Sequence, residues 1–173
     1  MCIRDSLYNG SPPPLLASPI ARIIPPIGFV IAVAVFIDGT DIRDIPLETL
    51  RTSIGMVQQE PFLFSDLLKN NIAYGADSAT ETEIEVAARN ADLLSQIDEF
   101  PNRFDTHVGE RGKTLSGGQR QRTAIARAIM MPPKILILDD AFASVDTHTE
   151  DTILDRLKQL GNCFDLSLIH ISE

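Results

Sequence analysis

Cysteine is scarce in this chain: Cys2 and Cys163 are the only two among 173 residues, far apart and each near one end. That leaves neither a disulfide framework nor the ligand spacing of a zinc site, and it fits a reducing compartment. Positive charge is scarce too. Lysine and arginine number 15 against 24 acidic residues, a net charge of −9. A nucleic-acid groove needs a basic footprint to neutralise phosphates, so no nucleic-acid partner is expected. Long apolar runs are missing as well. Ile27–Ile37 (IGFVIAVAVFI) falls short of the roughly 20 residues a spanning helix needs, and Pro25-Pro26 blocks its extension backwards. Its β-branched content and the Asp38-Gly39 that follows read as a buried strand and a turn. The start lacks the basic segment, apolar stretch and small-residue cleavage site of a signal peptide, so the polypeptide reads as soluble. Internal repeats are absent. What is present is 44% hydrophobic residues, enough to bury the core of one domain, or of a core with one subdomain.

Along the chain, residues 1–32 are the least orderly, since SPPPLLASPIARIIPP holds too many prolines for a continuous helix. From about Val33 a strand is expected to end at Ile37, with Pro46–Arg51 making a helical turn or two and Ile54–Val57 (IGMV) a short strand. Gln58-Gln59-Glu60-Pro61 then leaves as a loop. Residues 76–131 read as helical. Thr80-Glu81-Thr82-Glu83 has the form of a capping box, and Ile84, Ala87 and Ala88 follow at helical spacing. Asp92–Phe100 predicts a second helix, stopped by Pro101. A third should run from Leu115-Ser116-Gly117-Gly118-Gln119 to about Met131, with Ala124, Ile125, Ala128 and Ile129 on one face and Arg120 and Arg127 elsewhere. Ile135-Leu136-Ile137-Leu138 lacks alternation, as expected of a strand covered on both faces of a parallel sheet. Thr147-His148-Thr149-Glu150 reads as another capping box, opening a helix that carries Ile153, Leu154 and Leu157. Strands alternating with helices give an α/β fold with an all-helical insertion in its middle.

Two constellations carry chemistry. Asp139-Asp140 ends the aliphatic strand, where α/β sheets bind ligands. The first carboxylate can hold Mg²⁺ and the second can orient or deprotonate an attacking water. Taken alone, this is evenly balanced against an acidic strand end that simply turns into solvent. Leu115 to Gln119 places a serine and two glycines at a helix start, exposing unpaired N–H groups and the positive end of the dipole to one small volume. That suits a phosphate.

With both motifs in one short stretch, the chain resembles the nucleotide-binding domain of ATP-binding cassette (ABC) transporters. Leu115-Ser116-Gly117-Gly118-Gln119 resembles the family's signature motif, Ile135–Asp139 its Walker B strand, Ser144-Val145-Asp146 its D-loop and Gln59 its Q-loop glutamine. FLFSDLLKNNIAYG and VGERGKTLSGGQ resemble exporter-type members. The resemblance implies a P-loop NTPase-like ABC ATPase core with an inserted helical subdomain, N-terminally incomplete. It implies ATP and Mg²⁺ as ligands, a second nucleotide-binding domain as a head-to-tail partner, and a transmembrane domain touched by the loop of Glu110. It places the parent protein's domain on the cytoplasmic face of a membrane. Asp139 and Gln59 are then the expected Mg²⁺ ligands, and Asp140 and Gln59 the catalytic residues. Leu115, Ser116, Gly117, Gly118, Gln119 and Asp146 contact the nucleotide held by the partner.

The sequence departs from the family in several places. The string G-x-x-x-x-G-K-[ST] is missing, and Gly10-Ser11-Pro12-Pro13-Pro14-Leu15-Leu16 stands about where it should be. Proline there removes the N–H groups that would face phosphate. Residues 1–32 therefore read as a degraded P-loop region, 33–75 as part of the ATPase core with the Q-loop, and 76–131 as the helical subdomain. Residues 132–162 carry Walker B, the D-loop and the following helix. MCIRDS and LSLIHISE resemble translated sequencing-adapter text, so 163–173 reads as a tail foreign to the domain. His170 nevertheless lies about where the family's switch histidine belongs. Asp140 stands where active exporter sites carry glutamate. One methylene less leaves its oxygens about 1.5 Å short of the water, a misplacement that can cost on the order of 10²-fold in rate. By resemblance this points to the slow half of a heterodimeric exporter. Two other readings stay open: a soluble ABC ATPase without a membrane domain, and a non-catalytic chain that folds but binds no nucleotide.

Overall fold

The computed structural model describes residues 35–76, 78–161 and 167–171, and the chain divides into two compact units, residues 1–50 and 51–173. The expectations for residues 1–32, and for the strand over residues 27–34, lie outside the described residues.

In the first unit, β1 (Phe36–Ile37) pairs antiparallel with β2 (Thr40–Asp41), Phe36 opposite Asp41 and Ile37 opposite Thr40. Asp38 and Gly39 make the turn with φ of 49° and 79°. Two successive left-handed residues match the twist of a two-residue hairpin, and Asp-Gly is among the few pairs that supply them at low cost. Helix α1 (Leu47–Ser53) follows and runs across the boundary between residues 50 and 51.

The second unit holds a parallel sheet in the order β3 (Ile54–Val57), β4 (Ile135–Asp139), β5 (Ser167–Ile171). Ile54 lies opposite Ile135 and Val57 opposite Leu138, while Asp139 lies opposite Ile171. Because all three strands run the same way, the loops leaving β3 and β4 emerge at one edge, where open α/β sheets take their ligands. Burial along β4 alternates, against the expectation of even coverage. Leu136 and Leu138 are fully buried, whereas Ile135 and Ile137 are half-buried. The pleat sends neighbours to opposite faces, and the described elements cover only the face of Leu136 and Leu138 fully.

Between β3 and β4 lie α2 (Leu68–Ile72), α3 (Glu81–Asn90), α4 (Leu94–Glu99) and α5 (Gly117–Met130). The capping box of α3 forms as its pattern predicts: Thr80 N–H donates to Glu83 Oε2 at 2.8 Å and Glu83 N–H to Thr80 Oγ1 at 3.3 Å. Ile84, Ala87 and Ala88 face inward. Helix α2 has no side-chain cap and no sequence signal; it forms because Leu68 and Ile72 are drawn into the core. Helix α5 is the axle of this unit and packs on α2, α3 and β3. Its approach to β3 explains Gly55, where a Cβ would sit 2.8 Å from the Ala128 carbonyl oxygen. Ile125, Leu136, Leu138, Ile153 and Leu157 are each under 2% exposed, and each such side chain contributes about 1.5–3 kcal/mol.

Helix α6 (Thr147–Gly161) follows β4 and buries Ile153 and Leu157. Its cap lies one residue earlier than the Thr147–Glu150 box expected. Asp146 Oδ1 accepts from Thr149 N–H at 3.0 Å, and the Asp146 carbonyl accepts from Glu150 N–H at 2.9 Å. Among the described residues no helix is long and apolar enough to cross a membrane.

Candidate functional site

Beyond Asp139 the chain turns sharply, and Asp140 takes a φ of 44°. Aspartate tolerates this left-handed conformation better than a β-branched residue would. Hydrogen bonds from Ala143 N–H to the Asp140 carbonyl (3.3 Å) and from Val145 N–H to the Phe142 carbonyl (2.8 Å) close the turn. Ala141 and Phe142 lie buried beneath it. On the neighbouring strand the chain leaves β3 and reaches Gln59, whose Nε2 donates to Asp140 Oδ2 at 2.8 Å. These two residues are 81 positions apart, and the parallel pairing of β3 and β4 is what brings them together. Asp139, at the end of β4, shares that edge.

Carboxylate and amide oxygens are hard donors. They suit Mg²⁺, which takes one or two carboxylates and fills its octahedron with water and substrate phosphates. Among the described residues no group of three or more His, Cys, Asp or Glu side chains could hold a metal by itself. Asp139, Asp140 and the Gln59 amide are donors of the kind Mg²⁺ takes, with water and phosphate oxygens needed to complete its shell. His170 falls on β5, its backbone opposite Leu138 and one register position from the Asp139–Ile171 pair.

A second cluster gathers at the start of α5. Ser116 N–H donates to Gln119 Oε1 at 2.9 Å, and Gln119 N–H donates to Ser116 Oγ at 3.2 Å. This capping box uses both side chains, while the N–H groups of Gly117 and Gly118 precede the first intrahelical bond. Leu115 is buried and anchors the turn. Both glycines are required by the loop after β4. A Cβ on Gly117 would stand 3.0 Å from Ser144 Cβ and Oγ, and one on Gly118 would stand 2.9 Å from the Ser144 carbonyl oxygen. Asp146 follows immediately. The Thr149 hydroxyl and N–H hold its carboxyl below the ordinary range. Leu115–Gln119 thus sit against the loop of Asp146, and among the described residues they make no direct hydrogen bond to Asp139, Asp140 or Gln59.

Four further residues brace these parts, and of them the sequence reading gave no role to Gln121 and Arg122. Ser144 packs on the two glycines. Gln121, almost fully buried, takes the Ser144 N–H on Oε1 at 2.8 Å and reaches the Gln59 carbonyl with Nε2 at 3.5 Å. Arg122 donates to the Gly118 carbonyl (3.2 Å), the Asp92 carbonyl (3.1 Å) and Gln96 Oε1 (2.8 Å). Burial lowers its pKa, against the opposing pull of Asp92 and Asp146. Arg127, expected away from the core face, turns inward instead. It donates to Asn71 O and Oδ1, both at 2.8 Å, and to the Phe62 carbonyl at 2.9 Å, with its guanidinium over the rings of Phe64 and Tyr74. The physical reason is demand: the segment from Phe62 to Asn71 carries carbonyls with no sheet or helix partner, and a planar fork of donors meets several at once. The one signal available in the sequence was the density of polar residues in a helix otherwise rich in alanine.

A family model described as "ABC transporter" matches residues 16–143. The chain belongs to this family. An "ATP-dependent lipid A-core flippase" of Desulfotalea psychrophila is 52% identical over 127 residues, covering 73% of this chain and 22% of the flippase. "ATP-binding cassette sub-family B member 5" of Homo sapiens is 46% identical over 125 residues, covering 72% of this chain and 10% of that protein. Among solved structures, a bacterial Atm1-family ABC exporter with ATP bound superposes with a TM-score of 0.76 at 40% identity, over 81% of this chain and 24% of that one. The chain thus spans less than a quarter of the length of each of these relatives. It resembles the exporter-type members named above and has the fold of that family, the helical region lying between β3 and β4.

Proposed function

We propose that this chain serves as the ATP-binding and ATP-hydrolysing domain of an exporter-type ABC subunit. It works as one half of a head-to-tail pair beneath a transmembrane domain, on the cytoplasmic side, and does not act on nucleic acid. The observation that carries the reading is the bond from Gln59 to Asp140, which brings the loops after β3 and β4 together at one edge of the sheet. In this reading Asp139 and the Gln59 amide oxygen hold Mg²⁺, which when bound neutralises charge on the β- and γ-phosphates. Asp140 orients or deprotonates the attacking water, and His170 is the candidate sensor of the γ-phosphate. Ser116, Gly117, Gly118 and Gln119, with Leu115 behind them and Asp146 beside them, serve the nucleotide held by the partner. The helix start offers that phosphate two N–H groups and the positive end of the α5 dipole. Glu110, in the turn before α5, faces the membrane domain.

Two features of the sequence shape the activity. Without G-x-x-x-x-G-K-[ST] the chain has no P-loop cradle of its own, so alone it binds MgATP weakly and does not turn it over. With aspartate at position 140, the site it contributes to is the slow one of a heterodimer. Equilibrium dialysis with MgATP, followed by ATP-dependent association with a nucleotide-binding domain that has an intact P-loop, tests the reading. The chain should associate, and Ser116→Arg should abolish that association. Association indifferent to Ser116→Arg would show the signature to be idle. Steady hydrolysis by the pure chain, lost in Asp139→Ala, would overturn the assignment of a missing cradle.

A further inference from the structure

We propose that Gln121 is a positioning residue, tying the Asp146 loop and the Gln59 loop to the signature helix so that the segments facing nucleotide move as one body; this rests on the function proposed above. Gln121 lies in α5, two positions beyond Gln119, with 3% of its surface exposed. A buried primary amide needs an acceptor for its NH₂ and a donor for its oxygen. Here the donor is Ser144 N–H, on the loop after β4, at 2.8 Å. The acceptor is the Gln59 carbonyl, on the loop after β3, at 3.5 Å, the weaker of the two arms. Ser144 is also fixed from the other side by close contact with Gly117 and Gly118. The residue therefore sits where the signature, the loop leading to Asp146 and the loop of Gln59 meet, and its two arms have different chemistry. That difference makes it testable. Glutamate keeps the acceptor for Ser144 and loses the donor to Gln59, whereas methionine fills the space with neither.

Hydrogen exchange of the whole chain reads the first step. Gln121→Met should speed exchange at Ser144 N–H by about tenfold or more relative to wild type, the loss expected when one hydrogen bond no longer closes the amide. Gln121→Glu should restore protection at Ser144. The second readout is ATP-dependent association with a P-loop-intact partner domain, measured beside Ile153→Val, a core change in α6 that leaves both hydrogen bonds of Gln121 in place. Association should fall at least tenfold in Gln121→Met, recover in part in Gln121→Glu, and stay near wild type in Ile153→Val. Unchanged Ser144 exchange in Gln121→Met would overturn the proposal, as would an equal loss of association in Ile153→Val at equal stability. A wild-type chain that never associates would instead refute the proposed function and take this role down with it, a result distinct from either of those.

Discussion

Replacing Gly118 by alanine tests whether the signature glycines exist for the loop after β4. A Cβ there would stand 2.9 Å from the Ser144 carbonyl oxygen. Close C···O contacts in proteins run at about 3.3–3.6 Å, so the loop or the helix start must give by several tenths of an ångström. Overpacking on this scale costs about 1–3 kcal/mol. Alanine returns at most about 1 kcal/mol through helix propensity, and less in a first turn. The expected net loss is about 1–2 kcal/mol, read from urea titrations in which the midpoint falls and the slope holds. Gly117 differs in kind. Its added Cβ would meet Ser144 Cβ and Oγ at 3.0 Å, atoms of a side chain. Ser144→Gly should therefore relieve Gly117→Ala, with a coupling near 1 kcal/mol in the double-mutant cycle. It should not relieve Gly118→Ala, whose clash is with a carbonyl that glycine also carries. Full stability in Gly118→Ala, or equal rescue of both alanine variants by Ser144→Gly, would refute the reasoning.

Arg127→Met should destabilise the chain by about 2–3 kcal/mol, because three carbonyl-type acceptors of Phe62 and Asn71 lose a charged donor at once. Arg127→Lys should recover less than half, since an ammonium cannot fork; near-complete recovery in thermal melts would show that charge alone matters. Asp146, whose pKa is lowered by Thr149, should hold the start of α6 fully above about pH 4 and release it as pH falls through its own lower value. Asp146→Asn keeps a capping oxygen without the titration, so the protection of Thr149 N–H relative to its intrinsic exchange rate should lose its fall in acid; an unchanged protection profile would place the titration elsewhere. In an assembled heterodimer with this chain's P-loop restored and the partner's catalytic glutamate neutralised, Asp140→Glu should raise hydrolysis about tenfold, a barrier change of about 1.4 kcal/mol. Rapid turnover by wild-type Asp140 in that background would show aspartate to be a fully effective base.

What the sequence by itself determined here is local. The capping box at Thr80–Glu83, the helix start at Leu115–Gln119, the strand over Ile54–Val57 and the Asp38-Gly39 turn were legible because each depends on residues within a few positions of one another. The family was legible for a related reason: its motifs are short strings in a fixed order, and the match over residues 16–143 names the same family. Tertiary structure decided the rest. Helix α2 has too few residues to show a period and is held by what it packs against. The cap of α6 moved from Thr147 to Asp146 because both could serve in sequence, and the turn after β4 puts Asp146 at the helix start. Arg127 reads only as lying off the apolar face of its helix until the carbonyls of Phe62 and Asn71 are placed around it. Gln59 and Asp140 became neighbours only when β3 and β4 paired, as did Ser144 and the signature glycines when the loop after β4 packed on α5. Such contacts join residues far apart in the chain, and no periodicity or cap records which distant backbone group will lack a partner until the fold brings a donor to it.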